Sequence, residues 1–584
     1  MKRSVSRALA VVLGGIMLFS GCGQSAGNKV TQSQTDSTVV QEESQTQTAN
    51  VAEQDNVPVN EEGEPDSLGT YREPITLKIA QSVNPSDTFP EGQSAEDNAF
   101  FDWYRDNLNV NVEILWQAGS GSDYSEKLNL AIASGDLPDI FSASLAQVRM
   151  LSQADMIEDL TPYYEEFVNE VIRDRIDNTN GQAMNMVTFD GKMMAMPNVQ
   201  PGMDSYSLLW IRQDWLDELG LEAPKTIEEI RTVAKAFVDN KMGGEGTIGL
   251  LSPTSGNALY SNFINSGITT GGLDGIFQAN RAYPGYWLKD ENGEVIYGSL
   301  TEETRSTLQV LSEMYKEGTL DPELGTRKDA DEAWKSGKVG MMFAAWWLGY
   351  NVADAVAADP NAEWIAYPYP LTDDGKWAPH MQSVSNSFYV VRKGYEHPEV
   401  LILIQNWLYG TNLSAEFDQY GINPGYIPGR LVIGVNKPEV SDNELIREYL
   451  ETGEIPEYNE LEHSRGLIDM ESAKEIKKEP YDDMGIETWN VSSEGNFGRI
   501  YSILIGGGAI DQGYDIGCEE VYSEFYGETE NIQKKWSVLQ KAEDETFLKI
   551  ILGTEPIESF DTFVEDWYAQ GGTEIIQEVS EMVK

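Results

Sequence analysis

The chain has 584 residues, enough for two to four domains at the usual size of about 150 residues each. Its composition, 40% hydrophobic and 10% aromatic, can bury large cores and excludes a wholly disordered chain. The 41 Lys and Arg face 96 Asp and Glu, and the net charge of −55 argues against nucleic-acid binding, which needs clustered cations. With 3 His and 2 Cys, zinc clusters, iron–sulfur sites and a disulfide framework are excluded.

Residues 1–21 have the layout of a signal peptide for export. Three cations precede an apolar stretch at 8–19 that is too short to span a bilayer as a stable helix. The following Phe19-Ser20-Gly21-Cys22 resembles a bacterial lipobox, so the sequence predicts lipidation of Cys22. A diacylglyceryl group would supply the two chains that stable anchoring requires. The alternative is a plain secretory signal that happens to precede a cysteine.

Residues 22–70 are predicted to be a disordered tether. Beyond Cys22 the segment is rich in Gln, Ser, Thr and Glu and has no aromatic residue, so it cannot bury enough apolar surface to offset its ordering entropy. Residues 23–27 formally match the GxSxG motif of hydrolases. That motif needs a strand before it and a helix after it, and this segment predicts neither.

From Tyr71 onward the pattern predicts alternating strands and helices. Residues 75–80 and 110–115 read as strands, and 122–134 as an amphipathic helix that ends at Gly135. A third strand opens at 139–141. Strands joined by helices through short links predict βαβ units and a largely parallel sheet.

A second α/β region begins near Leu208. Residues 208–211 predict a strand, and Thr226 with Glu229 forms the capping-box pattern of a helix start. Further helices are predicted from Thr301 and near the C-terminus, and 339–343 predicts another strand. The body is therefore expected to be one α/β assembly of two lobes.

Six stretches, in order along the chain, together resemble the extracellular solute-binding proteins of ABC importers, the sugar-binding family that includes the maltose-binding protein. These stretches are 124–140, 190–197, 210–216, 317–323, 336–341 and 397–399. Each also has a plain structural role; for example, Gly135-Asp136-Leu137-Pro138 ends a helix before a strand. The motifs thus identify the fold, while most of their residues are structural.

The resemblance implies an α/β, two-lobed periplasmic-binding-protein type II fold with a ligand cleft between the lobes. By analogy, lobe 1 comprises 72–198 and 380–495, and lobe 2 comprises 199–379 and 496–584. A monomer without a cofactor is expected; no metal-binding residues are predicted, and a structural Ca²⁺ ion is left open. The protein's partners would be an oligosaccharide and ABC permease subunits, with the chain anchored by lipid at the extracellular face of the cytoplasmic membrane.

Ligands of open α/β sheets bind beyond the carboxyl ends of the strands, so the loops there supply the candidate residues. Trp346 and Trp347 follow the strand at 339–343, where an aromatic residue of the sugar-binding relatives stacks on a pyranose. The two adjacent side chains should diverge, with one in the core and the other facing the cleft. The remaining candidates are Asn84, Asp204, Tyr206, Tyr260, Trp287, Asn386 and Trp489.

The predicted function is capture of an oligosaccharide for import, without catalysis. A peptide or another small solute is the alternative within binding proteins, and a surface enzyme acting on glycans or an adhesin without a permease are alternatives from other classes. Residues 244–249 match GxGxxG but lack its strand-to-helix context, and 290–293 read as a hairpin turn. The acidic charge disfavours uronate ligands unless the cleft is locally basic.

Overall fold

A computed structural model describes residues 56–84, 86–200, 202, 205–264, 266–435, 438–463, 465–491 and 497–583. The predicted signal peptide, Cys22 and most of the predicted tether therefore lie outside the described residues, as does Asp204. In the described ranges, no helix combines the length and the apolarity that a membrane crossing needs.

Most strands are short. In chain order they are β1 (Ile75–Val83), β2 (Val110–Gly119), β3 (Ile140–Ala143), β4 (Thr188–Phe189), β5 (Lys192–Met193), β6 (Met196–Pro197), β7 (Leu208–Arg212), β8 (Ile248–Leu250), β9 (Trp287–Lys289), β10 (Val295–Tyr297), β11 (Val339–Ala344), β12 (Trp364–Tyr367), β13 (His380–Met381), β14 (Phe388–Val391) and β15 (Val521–Tyr522).

The helices of the first half of the chain are α1 (Ala99–Trp103), α2 (Ser122–Ser134), α3 (Leu145–Gln153), α4 (Thr161–Phe167), α5 (Glu170–Asp177), α6 (Gln182–Val187), α7 (Gln213–Leu219), α8 (Ile227–Asp239) and α9 (Asp274–Ala279). Those of the second half are α10 (Glu302–Glu317), α11 (Ala330–Lys335), α12 (Val352–Ala358), α13 (Val400–Gly410), α14 (Leu413–Asp418), α15 (Pro438–Thr452), α16 (Gly466–Ile476), α17 (Phe497–Tyr501), α18 (Gly508–Ile516), α19 (Glu530–Ile551), α20 (Ser559–Trp567) and α21 (Thr573–Met582). Short 3₁₀ turns occupy Gly298–Leu300, Trp346–Asn351, Pro424–Tyr426 and Ile486–Thr488, and π-helical turns occupy Tyr104–Leu108, Ser502–Gly507 and Tyr568–Gly572.

The first lobe is built on a five-stranded sheet in the order β2-β1-β3-β14-β6. β1 pairs in parallel with β2 and β3, which confirms the βαβ reading of 75–141. β14 runs antiparallel to both β3 and β6. It enters the sheet after the chain has returned from the second lobe, which explains the reversed direction.

The second lobe is built on a four-stranded sheet in the order β12-β7-β11-β8. Here β7 is antiparallel to β11 and β12, and only β11 and β8 pair in parallel. The expectation of a largely parallel sheet is therefore wrong for this lobe. β7 and β11 are buried along their whole length, as befits strands covered on both faces.

The boundary between the lobes differs from the predicted one. The core of the first lobe contains residues from 57–199 and 388–433. The two core clusters of the second lobe contain residues from 206–381 and 445–579. The predicted assignment of 380–495 to lobe 1 is thus corrected. Residues 388–433 contribute to the core of lobe 1, whereas Met381 and buried residues of 445–489 contribute to a core of lobe 2. α15 and α16 bury residues such as Ile446 and Met470 in a cluster with Trp364 of the second sheet.

Residues 56–70, the end of the predicted tether, pack on the first lobe. The backbone amides of Val59 and Thr70 each donate to the carbonyl of the other residue, and Val57 is buried in the core of the first lobe. A Cβ on Gly69 would lie 2.5 Å from the Val59 nitrogen, so the close approach of these two segments requires glycine. The body therefore starts by Asn56 and not at Tyr71, since two valines and a backbone pairing suffice to anchor a polar segment.

The core of the second lobe contains a buried carboxylate, Glu543 of α19. Tyr260 donates a hydrogen bond to its Oε1 at 2.5 Å and Ser299 donates another at 2.7 Å. Burial raises the pKa of Glu543 to about 7, because desolvation disfavours the charged form more than these hydrogen bonds favour it.

The capping box predicted at the start of α8 is confirmed. The Thr226 hydroxyl accepts from the Glu229 amide at 3.2 Å, and the Glu229 carboxylate accepts from the Thr226 amide at 3.2 Å. We expect Thr226→Ala to lower the free energy of unfolding by about 1 kcal/mol, because it leaves one helix-end amide without an acceptor. Urea unfolding measures this loss. Thr232→Ala, in the middle of the same helix, is the control and should cost less; an equal loss would contradict the capping role.

Glu543 should make stability fall as the pH rises. Below about pH 4.5 both the folded and the unfolded states are protonated at this group; between about 4.5 and 7 the unfolded state loses the proton first, which favours unfolding. We expect the free energy of unfolding of the wild type, relative to Glu543→Gln, to fall by on the order of 3 kcal/mol from pH 4.5 to 8. Urea titrations at several pH values measure it. Glu545→Gln, at an exposed site on the same helix, should leave the slope unchanged.

Candidate functional site

Three segments of the chain cross between the lobes, and they are hydrogen-bonded to one another. The first, 198–207, lies between the second, 381–388, and the third, which begins at 432. The Gln200 amide donates to the Val384 carbonyl at 2.8 Å, and the Val199 amide donates to the Val432 carbonyl at 2.9 Å. The crossing segments therefore form one hydrogen-bonded layer, here called the crossing layer, rather than three independent linkers.

Asn198 joins the first two crossing segments through its side chain. Its Oδ1 accepts from the Ser385 hydroxyl at 2.8 Å, from the Asn386 amide at 2.9 Å and from the Ser387 amide at 2.8 Å. Asn198 is 2% exposed, so these bonds are shielded from water. Its own backbone amide donates to the Ser387 carbonyl at 2.9 Å, which completes a closed set of contacts at the base of the cleft.

A cavity of about 100 Å³, here called the floor cavity, lies at this crossing layer. Both lobes and the crossing segments contribute to its lining, which is mostly polar. The lining residues are Arg175, Asn178, Thr179, Asn180, Val199, Gln200, Gly202, Tyr206, Met381, Gln382, Val384, Glu520 and Tyr522. Amides and hydroxyls both donate and accept hydrogen bonds, so this lining suits a ligand rich in hydroxyl groups.

Glu520 is surrounded by tyrosine hydroxyls at the floor cavity. Tyr206 donates to its Oε1 at 2.7 Å, Tyr514 to its Oε1 at 2.5 Å and Tyr522 to its Oε2 at 3.0 Å. Burial and the nearby Glu520 charge both raise the pKa of Tyr522 above its ordinary value, so this phenol keeps its proton. The cluster therefore presents a fixed carboxylate to the cavity.

Arg175 is the one cation among the described residues that line the floor cavity. It is 8% exposed, and burial lowers the pKa of its guanidinium. Nη1 donates to the Ile433 carbonyl and Nη2 to the Leu461 carbonyl, each at 2.8 Å, and the guanidinium lies over the Tyr409 ring. These contacts tie α5 to the third crossing segment.

A second space of about 330 Å³, the wall pocket, lies at the carboxyl ends of β1 and β3 and at the first turn of α2. Tyr124, Ser142 and Tyr389 line it, together with Gln81. Burial raises the pKa of Tyr389 to about 12. Open α/β sheets bind ligands at this end of their strands, which makes the wall pocket a second candidate surface.

Gln81 of the wall pocket carries a buried oxygen that no described residue hydrogen-bonds. Its Nε2 donates to the Ser82 carbonyl at 3.2 Å, which identifies the other end of the amide as the oxygen. That Oε1 is buried and has no partner among the described residues. The residue is only 4% exposed, so bulk water does not reach the oxygen either. An acceptor left in this state costs about 1–3 kcal/mol, and a ligand donor could satisfy it.

The predicted tryptophan pair divides as expected into a buried and a more exposed member. Trp346 is 7% exposed and belongs to the second lobe's core, while Trp347 packs against that core and is partly exposed. Trp347 is thus the member available to a ligand, and its stacking on a sugar stays a prediction. Neither side chain lines the floor cavity or the wall pocket.

Three of the predicted aromatic platforms are core residues, which corrects the expected set. Trp287 is fully buried among Phe263, Tyr297 and Trp536. Tyr260 and Trp489 are also buried, so none of the three presents a ring face to solvent. A body with 14 tryptophans uses most of them to fill its cores; only Trp103, Trp116, Trp347 and Trp407 are partly exposed.

Two of the polar candidates, Tyr206 and Asn386, lie at the crossing layer. Tyr206 lines the floor cavity, but its ring packs against Trp377, so its hydroxyl and not its face is available. Asn386 is exposed and its Oδ1 accepts from Gln200 at 2.8 Å. Asn84 is exposed too, and its Oδ1 accepts from the Ser86 amide in the loop after β1. Asp204 and Cys22 fall outside the described residues.

Several lining residues were not predicted from the sequence. Gln200 and Gln382 lie on the crossing segments, each four residues before a predicted candidate, Asp204 and Asn386, so a wider window around those candidates would have found them. Asn180 precedes Gly181 in a turn pattern, and its φ of 53° confirms a tight turn there. Glu520 and Tyr522 carry no local signal, because only folding brings them beside Tyr206.

Carboxylates and clustered metal-ligating groups are sparse among the described residues of the site. Glu520 is the one carboxylate among the described residues that line the floor cavity. Within the described ranges, no group of three or more His, Cys, Asp or Glu side chains is arranged to hold a metal ion. The groups present can bind and orient a polar molecule.

Comparison with known proteins points to one family. Residues 84–411 match the family described as bacterial extracellular solute-binding protein. The polygalacturonan/rhamnogalacturonan-binding protein YtcQ of Bacillus subtilis is 27% identical over 256 residues, 42% of this chain and 45% of YtcQ. The fructooligosaccharide ABC transporter substrate-binding protein FusA of Streptococcus pneumoniae is 32% identical over 148 residues, 23% of this chain and 27% of FusA. The matched segments thus span less than half the length of these curated relatives.

Solved structures share the fold at low sequence identity. A human-milk-oligosaccharide (HMO) binding, ABC-transporter-associated solute-binding protein of Bifidobacterium longum infantis aligns with a TM-score of 0.52 at 12% identity, covering 87% of this chain and 98% of that one. The alginate-binding protein AlgQ2 aligns with a TM-score of 0.50 at 16% identity, with the same coverage. Both likenesses show a two-lobed solute-binding fold.

Removing the Asn198 acceptor should loosen the crossing layer. Asn198→Ala leaves two backbone amides and one hydroxyl without their acceptor, so we expect the free energy of unfolding to fall by about 2–4 kcal/mol. Urea unfolding measures the change. Asn386→Ala keeps the Asn386 backbone amide and removes an exposed side chain whose Oδ1 accepts from Asn198 Nδ2 at 3.1 Å and from Gln200 Nε2 at 2.8 Å, so it should cost about 1 kcal/mol, less than Asn198→Ala. Equal losses in the two variants would contradict the role of Asn198.

Proposed function

Because the chain belongs to the bacterial extracellular solute-binding protein family, we propose that it captures an oligosaccharide between its two lobes and delivers it to the permease of an ABC importer. The observation that carries the proposal is the floor cavity, which both lobes and their crossing segments line with amides and hydroxyls. Such groups pair with sugar hydroxyls. The named ligands of YtcQ and FusA, both polymers or oligomers of sugars, support the same class.

Capture follows from the geometry of the crossing layer. Ligands that contact both lobes stabilise the arrangement in which the lobes are close, and the connected crossing segments restrict the motion to a hinge. Gln200 and Gln382 lie on these segments, so a bound ligand touches the hinge itself. The closed form would then be the one that docks on the permease.

The N-terminal sequence supports anchoring at the membrane surface. We place the lipid on Cys22, with the body on the extracellular face of the cytoplasmic membrane and the protein acting as a monomer. Two acyl chains hold such a protein stably without a membrane-spanning helix. The site of capture would then be close to the permease.

Two alternatives make different predictions. A binding protein for peptides or other small solutes would use the same cleft but respond to a different ligand class. A surface enzyme acting on glycans would consume its ligand; the floor cavity's described lining, with one carboxylate, does not favour that reading because glycosidases use a pair. Recovery of the ligand unchanged distinguishes binding from catalysis.

We expect the full chain, purified in mild detergent, to be stabilised by an oligosaccharide and not by peptides. A ligand at 100 times its Kd adds about 2.7 kcal/mol of stability, which raises the melting temperature by on the order of 2–4 °C. Melting temperature and Trp fluorescence are followed against neutral oligosaccharides, acidic oligosaccharides and peptides. Gln382→Ala should reduce the shift, and Gln577→Ala, on the exposed C-terminal helix, should preserve it.

Each outcome of this panel decides between readings. A response to peptides alone would contradict the sugar assignment but would still support ligand binding in the cleft. Consumption of any panel member would show that the protein is an enzyme. Trp347→Ala tests the stacking prediction separately. If that variant binds as tightly as the wild type, Trp347 is not a platform, and the cavity remains the site.

A further inference from the structure

We propose that the cleft selects uncharged sugar units and rejects uronates, and that Glu520 is the residue that sets this selectivity. The inference rests on the proposed function, because it names the charge class of the oligosaccharide. The alternative is real: the chain resembles a polygalacturonan/rhamnogalacturonan-binding protein, whose named ligand contains uronate units, as well as a fructooligosaccharide-binding one.

Glu520 puts a fixed negative charge at the floor cavity. Tyr206 and Tyr514 both donate to Oε1, and Tyr522 donates to Oε2 from the other side. Three hydroxyl donors hold the carboxylate in one position. A ligand carboxylate about 5 Å from it would be repelled strongly enough to weaken binding on the order of 10²-fold at an effective dielectric constant of 20.

Arg175, the cation of the same described lining, is held by other partners. Its Nη1 and Nη2 donate to the carbonyls of Ile433 and Leu461 at 2.8 Å, and Tyr409 covers one face of the guanidinium. Paired recognition of a carboxylate needs the two donors of such a fork to point at the ligand. Two of its five N–H groups are thus engaged with the backbone, so a ligand carboxylate would compete with these carbonyls for the two nitrogens. The repulsion from Glu520 therefore acts on a ligand carboxylate that lies nearer to Glu520 than to Arg175.

The wall pocket also favours a ligand that donates hydrogen bonds over a negatively charged one. Among the residues that the structure describes, the buried Gln81 Oε1 has no hydrogen-bond partner, and an amide oxygen can only accept. A sugar hydroxyl can donate to it, whereas an ionised carboxylate cannot. The first turn of α2, which could otherwise attract an anion, already carries Asp123. Both spaces therefore complement hydroxyl groups.

The test uses pairs of oligosaccharides that differ only in the group at C6. The probes are oligogalacturonides, their methyl esters and galacto-oligosaccharides of the same linkage and length, with the corresponding gluco/glucurono and manno/mannurono pairs. Calorimetric titration is carried out on the full chain in mild detergent. In any series that binds, we expect the neutral or esterified member to bind at least 30-fold more tightly than the free acid.

Substitution of Glu520 isolates its contribution. We expect Glu520→Gln to weaken the neutral ligand about 10-fold, through the loss of a charged acceptor, and to strengthen the free acid about 10-fold or more, so that the selectivity collapses. The matched control is Glu519→Gln. Its carboxylate is exposed and pairs with Arg281 at 2.9 Å, away from the cavity lining, so neither affinity should change.

Three outcomes would overturn the inference. A free acid that binds as tightly as its ester refutes the selectivity and leaves the proposed function standing. If Glu520→Gln and Glu519→Gln have the same affinities for the neutral ligand and for the free acid, the role of Glu520 is refuted. No binding by any member of any pair refutes the proposed function together with this inference. The comparison of ester with acid uses the wild type, so it decides the question even if Glu520→Gln does not fold.

Discussion

The hydrogen-bonded layer of crossing segments is the constraint on which this molecule depends. Two lobes with separate cores would drift relative to each other if three independent linkers joined them. Here Asn198, buried in the first segment, accepts from three consecutive residues of the second, and Val199 donates to the third. The lobes therefore share a common base, and the crossing-segment residues that line the floor cavity keep fixed positions relative to one another.

That base also explains why a strongly acidic protein can have a site with little net charge. The net charge of −55 is spread over exposed surface, where water and salt screen it. At the floor cavity the described lining contains one carboxylate and one cation, each held by its own partners: Glu520 by tyrosines and Arg175 by backbone carbonyls. Overall charge and local charge are thus separate properties, and ligand selectivity follows the local one.

The helices after the third crossing show how burial decides the membership of a lobe. α15 and α16 follow a segment that belongs to the first lobe, yet they bury Ile446 and Met470 with Trp364 and Trp377 of the second. Position in the chain favoured the first lobe, but apolar area is removed from water only where a matching surface exists. The same rule places most of the tryptophans in cores, which removed Trp287 and Trp489 from the candidate ligand platforms.

The sequence by itself determined the local structure and the family. Strand alternation at 75–80, the capping box at Thr226 and the helix end at Gly135 depend on neighbours within a few residues, so they could be predicted. The loops beyond the predicted strands supplied Tyr206 and Asn386 as candidates, and both lie on the crossing segments. Only the tertiary structure decided which aromatic residues are core, where the lobe boundary falls and which groups meet at the cavity. Glu520 lies 314 positions from Tyr206 in the chain, and no periodicity links residues that far apart; their contact exists because the packing of two lobes brings them together.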